Sequence, residues 1–297
     1  MIFVTAIYDN NYTTVIGGRG RGLDFFHPTL INIGNLGYDL VLYCSKLHAS
    51  NCRATLASHF KNLYVIEYEL DQFIHFKEYI EWKRTFFKDV PNDRNEILCF
   101  NKLFWVKDAI ERNLSDDDVY MWIDAGLPHH GIIPERVGGV ELLRKHPKEV
   151  YYPDNSKNIF NPKLGKNLLK SIQPGKLFYC SLPSQGDNTQ LEALTKKAFD
   201  KEIRVVDHLV GGIFGGFKTD LLQMLPYYKS ILKESIDSKV HCFEEHLFNC
   251  LYAAFPDKFS LQKFDVWWFY SPGEVTSYLT EDANSFYKIF TRIHEQE

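Results

Sequence analysis

The sequence predicts an α/β chain: a mostly parallel, Rossmann-like central sheet with helices on both faces. Three observations predict it. Ile2–Tyr8, Tyr38–Cys44 and Leu63–Tyr68 are short runs rich in β-branched, aromatic and aliphatic residues, the composition of strands buried on both faces. The stretches between them, Asp24–Leu36 and Ala49–Phe60, are too long for hairpin turns and long enough for helices. With 297 residues, 45% hydrophobic and 15% aromatic, the chain can bury a large core, and strand–helix alternation favours parallel pairing. No internal repeat or interdomain linker interrupts it, so residues 1–297 are expected to form a single domain.

The first run stops on Asp9-Asn10-Asn11, and a glycine-arginine loop, Gly17-Gly-Arg-Gly-Arg-Gly22, follows. Pro28 lies near the first turn of the helix predicted over Asp24–Leu36. Phe73–Phe87 combines helical apolar spacing with many charges and reads as an outer helix. Over Asn101–Asn113, Leu103, Phe104, Val106, Ala109 and Ile110 gather on one side, which predicts a helix with Lys102, Lys107 and Glu111 turned outward. Ser115-Asp-Asp-Asp118 then turns the chain into an apolar strand, Val119–Asp124. Pro128, Gly131 and Pro134 mark a loop before a helix over 138–145, and the Asn, Pro, Gly and Lys of Tyr151–Gly175 predict a mobile excursion or small insertion. The remaining expectations are strands over Lys176–Leu182, within Val205–Lys218 and over Phe264–Phe269. Helices are expected over Leu191–Asp200, Asp220–Leu232, Phe243–Ala254 and Asn284–His294.

A formal charge of -4 argues against broad attraction to nucleic acid or an anionic membrane and suits a small charged ligand better. The six cysteines are scattered without CxxC or zinc-finger spacing, which reads as reduced thiols in a cytoplasmic protein. Met1–Tyr8 lacks a basic leader, and no apolar stretch approaches the ~18 residues that cross a bilayer. A soluble protein is expected, with peripheral association at the membrane left open.

Asp124 is the most informative residue. It ends a buried strand and is followed by Ala125-Gly126, so its carboxylate stands where ligands collect in an open α/β sheet. A turn aspartate before glycine is the plainer alternative. Val210-Gly-Gly-Ile-Phe-Gly-Gly216 brings paired glycines to a strand, for close backbone approach to a ligand or simply for tight packing. Glu244 and Glu245 open a predicted helix, where carboxylates meet the dipole favourably without any catalytic role. Lys102 alone reads as a surface lysine, and His129, His130, His208, His241 and His246 are weak metal candidates near these segments.

Taken in order, Thr5-Ala6-Ile7-Tyr8, Asn101-Lys102, Trp122-Ile-Asp124-Ala-Gly126, Gly211-Gly-Ile-Phe-Gly-Gly216 and Phe243-Glu-Glu-His-Leu-Phe-Asn-Cys250 form a recurring pattern. It resembles glycosyltransferases of the GT-A fold. Over Ile2–Leu261 it is most similar to the HtrL/YibB family of bacterial envelope-polysaccharide proteins. The resemblance implies a nucleotide-sugar donor, a glycan or lipid-linked glycan acceptor in lipopolysaccharide or capsule assembly, and work at the cytoplasmic face of the inner membrane. It implies that Thr5, Ala6 and Tyr8 adjoin the nucleotide, that Asp124 holds Mn²⁺ or Mg²⁺ against the diphosphate, and that Gly211 and Gly212 line the sugar. Glu245 then faces the reacting carbon, with Asp124 the second catalytic acid. One departure stands out: the family's Asp-x-Asp is Asp124-Ala-Gly126 here. Metal binding through Asp124, diphosphate and water is compatible with this, as is metal-free neutralisation by Arg19, Arg21 or Lys102.

Two other readings compete. A sugar-phosphate nucleotidyltransferase would use Gly17–Gly22 as its phosphate loop, but eight residues, Asp9–Ile16, separate that loop from the first strand. A non-catalytic carbohydrate-binding protein would need neither Asp124 nor Glu245.

Overall fold

In the computed structural model, the described residues are 1–8, 23–73, 95–125, 160–183, 187–240 and 242–263. Seven strands form one sheet in the order β3-β2-β1-β4-β6-β5-β7. They are β1 (Ile2–Ile7), β2 (Asp39–Cys44), β3 (Leu63–Glu67), β4 (Val119–Ile123), β5 (Leu177–Pro183), β6 (Asp207–Phe217) and β7 (Phe259–Lys263). Every pairing is parallel except those of β6 with β4 and β5, so β6 alone runs against the rest. The mostly parallel α/β expectation holds.

The helices are α1 (Leu23–Gly34), α2 (Lys46–Leu56), α3 (Asn95–Glu111), α4 (Pro162–Ser171), α5 (Thr189–Phe199), α6 (Lys218–Asp237) and α7 (Glu244–Ala254). They divide between the two faces because strand side chains alternate. Ile2, Val4, Tyr120 and Trp122 join α3, α5, α6 and α7 in one apolar cluster. Phe3, Ile7, Met121 and Ile123 join α1, α2 and α4 in the other. Both faces are therefore buried, which is why the central strands carry no polar alternation.

Several elements depart from expectation. Helix α3 is buried around most of its circumference, and Lys102 is buried rather than turned outward. The part of the 151–175 segment that is described contains α4, with Leu164 and Leu168 fully buried and Lys163, Lys166 and Lys170 on its exposed face. Asn161 caps it, accepting from the amides of Lys163 and Leu164 at 2.9 and 3.3 Å. Asn161→Ala should therefore lower stability by about 1 kcal/mol, read as a lower urea midpoint with an unchanged slope.

Strand β7 was not anticipated; its five residues are short and mostly half-buried, with little alternation to detect. The strand expected over Phe264–Phe269, the helices over 138–145 and Asn284–His294, and nearly all of Phe73–Phe87 lie outside the described residues, as does the Gly17–Gly22 loop. No described helix is long and apolar enough to cross a membrane.

The strand order sets a switch point in the sheet. From β1 the chain steps outward to β2 and β3, then returns to place β4 on the other flank of β1. The crevice at the carboxyl ends of β1 and β4 is thus a topological switch point, where ligands bind in open α/β sheets.

Candidate active site

Asp124 follows β4 directly, at that switch point. Trp122 and Asp124 share a face because strand side chains repeat every second residue. The Trp122 indole stacks on Trp105 of α3, with centroids 5.7 Å apart and planes 12° apart. This stacking registers the helix against the strand. Lys102, one turn before Trp105, is thereby carried to Asp124, two residues beyond Trp122. Its Nζ lies 2.9 and 3.1 Å from the two Asp124 carboxylate oxygens. The Trp122 Nε1–H donates to Asp124 Oδ1 at 2.7 Å, fixing the carboxylate from a second side.

Lys102 has two further acceptors: Glu244 Oε1 at 2.5 Å and the Gly211 carbonyl at 3.1 Å. Three ammonium hydrogens therefore meet three acceptor groups, which is how a charge with an 8% exposed side chain is tolerated inside the fold. Burial works to lower the Lys102 pKa, but Asp124 and Glu244 outweigh it and hold the ammonium well above the usual lysine range.

Gly211 and Gly212 sit at an irregularity in the sheet. On β5, neighbours Tyr179 and Cys180 pair with Phe214 and Val210, leaving residues 211–213 of β6 without β5 partners. Bulges of this kind bend a strand and free backbone groups beside active sites. Here the Gly212 carbonyl accepts from the Asp124 amide at 2.8 Å, and the Gly211 amide donates to Glu245 Oε1 at 2.9 Å.

The amino terminus of α7 closes the cluster. A Cβ at Gly211 would stand 2.5 Å from Glu244 Oε1 and 2.8 Å from Glu245 Cγ. The glycine is what lets both acids approach the strand. Glu244 is buried, and burial raises its carboxyl pKa against the opposing pull of Lys102. Glu245 behaves oppositely: burial works to raise it, but the hydrogen bond with His208, the Lys102 ammonium and the Gly211 amide bring it below the usual carboxylate range. His208 Nε2 lies 3.2 Å from Glu245 Oε2. The side chains of Asp124 and Glu245 remain 38% and 29% exposed, so the cluster opens to solvent at both acids.

The structure thus brings together Lys102 of α3, Asp124 after β4, Gly211 and Gly212 of β6 and Glu245 of α7. Thr5, Ala6 and Tyr8 lie at the carboxyl end of β1; continuing the Val4–Trp122 register brings Ala6 level with Asp124. Thr5 is fully buried, and its hydroxyl has no hydrogen-bond partner among the described residues. Tyr8 is buried as well, donating to the Tyr68 carbonyl at 2.8 Å and stacking on Trp105. Arg19 lies outside the described residues, with Arg21, His129, His130 and His241. Glu244 and His208, named from the sequence only as a helix-opening acid and one of five weak metal candidates, join this cluster. Glu244 was legible only as a helix-opening acid, and nothing in the spacing of His208 distinguished it from the other histidines.

No protein-family model matches the chain, and no curated protein does. Among solved structures, mouse xyloside xylosyltransferase 1 in its apo form is similar over 96% of this chain and 92% of that one, at 10% identity and a TM-score of 0.42. The 4-diphosphocytidyl-2C-methyl-D-erythritol synthase of Anaerococcus prevotii is similar over 98% and 96%, with 10% identity and a TM-score of 0.38. The inositol-1-phosphate CTP transferase of T. maritima follows, over 99% and 96%, with 10% identity and a TM-score of 0.37. Likeness at this level transfers neither reaction nor substrate, so the functional reading rests on the site.

Proposed function

We propose that this chain is a glycosyltransferase that moves a sugar from a nucleotide-diphosphate-sugar to a surface glycan acceptor in lipopolysaccharide or capsule assembly. One observation carries the reading: Asp124 and Glu245, far apart in sequence, meet across Gly211-Gly212 at the sheet's switch point, with Lys102 between Asp124 and Glu244. Glycosyl transfer builds positive character on the sugar ring while a diphosphate departs with negative charge. Fixed charges of both signs in a partly dry site meet that demand, and such preorganisation supplies much of a transferase's rate.

In this reading the carboxyl end of β1, with Thr5, Ala6 and Tyr8, receives the nucleotide, and Arg19 is the phosphate partner expected from the sequence. Gly211 and Gly212 leave room for the sugar, and Glu245 faces its anomeric carbon. The acceptor hydroxyl oxygen bonds to that carbon as the carbon–phosphate-oxygen bond breaks, and the bonding pair leaves with the diphosphate. The acceptor proton passes to a base.

Asp124 is the protein donor that this reading assigns to a divalent ion. Three carboxyl groups, Asp124, Glu244 and Glu245, stand against the single ammonium of Lys102, and Asp124 is the most exposed of the three. No group of three His, Cys, Asp or Glu among the described residues could hold a metal. Asp124 would therefore share Mn²⁺ or Mg²⁺ with the donor diphosphate and water, as these ions commonly do in phosphate sites. The ion's chemistry there would be to neutralise the departing phosphate charge.

A thermal-shift series with sugar nucleotides tests this. UDP-sugars with Mn²⁺ should raise the melting temperature, because a ligand selective for the folded state adds about 2.7 kcal/mol at a hundredfold excess over its Kd. Asp124→Ala should abolish the metal-dependent part. Transfer to acceptor glycan with release of nucleoside diphosphate supports the proposal; no response to any sugar nucleotide, or release of pyrophosphate from a nucleoside triphosphate and sugar phosphate, overturns it.

A further inference from the structure

Beyond Glu245 stands a second layer of side chains whose hydrogen-bond directions are fixed. Asn249 lies one helical turn after Glu245 on α7, and both reach the backbone of β6. Its Oδ1 accepts from the Leu209 amide at 2.7 Å. An amide N–H can only donate, so that contact fixes which end of the Asn249 carboxamide points where. The Nδ2 end is left facing His208 Nδ1 at 3.4 Å. Because Nδ2 is a donor, Nδ1 must accept, and a neutral imidazole then carries its hydrogen on Nε2. That nitrogen faces Glu245 Oε2, while Glu245 Oε1 takes the Gly211 amide.

We propose that Asn249 locks His208 with its hydrogen on Nε2, so that His208 and the Gly211 amide together hold Glu245 as an aimed carboxylate. His208 and Asn249 are positioning residues, and their role in transfer rests on the glycosyltransferase reading. Both Glu245 oxygens accept from fixed donors, an arrangement that favours the charged form over the protonated one. An effective general base has a pKa near the working pH. A carboxylate held charged is suited instead to facing positive character on the sugar ring. The assignment gives Glu245 that electrostatic role and leaves the acceptor's proton to another group. Among the described residues, the charged and titratable neighbours of this unit include Lys102, Glu244, Asp124, Cys99 and His246, whose ring centroid lies 6.4 Å from that of His208.

Imidazole ¹⁵N NMR of the ligand-free protein tests the lock without turnover, with His208→Gln assigning the signals. The expected neutral form has Nε2 protonated and Nδ1 bare. Asn249→Asp keeps an acceptor for the Leu209 amide but turns the group facing Nδ1 from donor to acceptor, so a hydrogen should appear on Nδ1. A parent protein with hydrogen on Nδ1 and a bare Nε2, or an Asn249→Asp spectrum unchanged from the parent, overturns the proposal.

The second readout is the ¹³C carboxyl titration of Glu245. In His208→Ala its midpoint should move up by about one pH unit, a tenfold change in the proton equilibrium, and His208→Gln, which keeps a donor, should restore most of it. A midpoint indifferent to His208→Ala overturns the proposal. Because both measurements read protonation rather than sugar transfer, the lock can stand if the reaction proves different, and the reaction can stand if the lock fails.

Discussion

Lys102→Met should cost about 3–5 kcal/mol of stability, since removing one member of a buried ion cluster leaves the others uncompensated. Methionine has a similar length and fills similar volume, so the loss isolates charge from packing. Glu244, with a 3% exposed side chain, is left without the cation now 2.5 Å away. Asp124, with a 38% exposed side chain, can recover water instead. Most of the penalty should therefore fall on Glu244. The double variant Lys102→Met, Glu244→Gln should recover a large part of the lost stability in chemical denaturation, and transfer activity should remain low in both.

The pH dependence of that variant carries a definite sign. Burial already raises the Glu244 pKa while Lys102 opposes it, so removing Lys102 should raise it further. An acid whose folded pKa lies above its unfolded value binds more protons in the native state. Stability is then retained below the unfolded pKa and lost as pH rises through the folded one. The gap between Lys102→Met and the parent should accordingly widen from pH 5 to pH 8 and narrow toward about pH 4.3, the ordinary glutamate value. A gap that stays constant over this range would assign the penalty to lost packing.

Such a cluster is difficult to see in a sequence, and the reason is geometric. Asp124 was legible because a strand of five buried residues ending on a carboxylate is a local contradiction that demands a partner. The parallel sheet was legible because strands buried on both faces have no polar alternation. Lys102 was not, since helical periodicity reports the average environment of a helix and α3 is buried on most sides, including the side where its one buried lysine lies. Its partner Glu244 arrives from 142 positions along the chain, by way of a strand irregularity that the paired glycines mark without naming the groups that meet there. Glu245 and Glu244 are adjacent in sequence yet meet different surroundings, one facing Gly211 and His208, the other Lys102. Helix position alone assigns them the same role.

Gly211→Ala should separate these two acids from the strand and reduce transfer by about 100-fold, the scale expected when a positioned group is misplaced by about 1 Å. The added methyl carbon would stand 2.5 Å from Glu244 Oε1, 2.8 Å from Glu245 Cγ and 3.1 Å from Glu244 Cδ. Moving Glu244 strains its bond to Lys102, while moving Glu245 draws it from the Gly211 amide and from His208. Overpacking of this kind costs about 1–3 kcal/mol, so the protein should remain folded and its activity loss should exceed anything explained by unfolding. Gly215→Ala is the matched control for crowding: its Cβ would meet Met121 Cγ at 2.6 Å and the Tyr120 carbonyl at 2.6 Å on the neighbouring strand, away from the two acids. That variant should lose stability to a similar or greater degree, with the folded fraction retaining a larger share of parent activity. Equal specific activity in the two variants would mean that the glycine at 211 serves packing alone and that the acids it admits do not act on substrate.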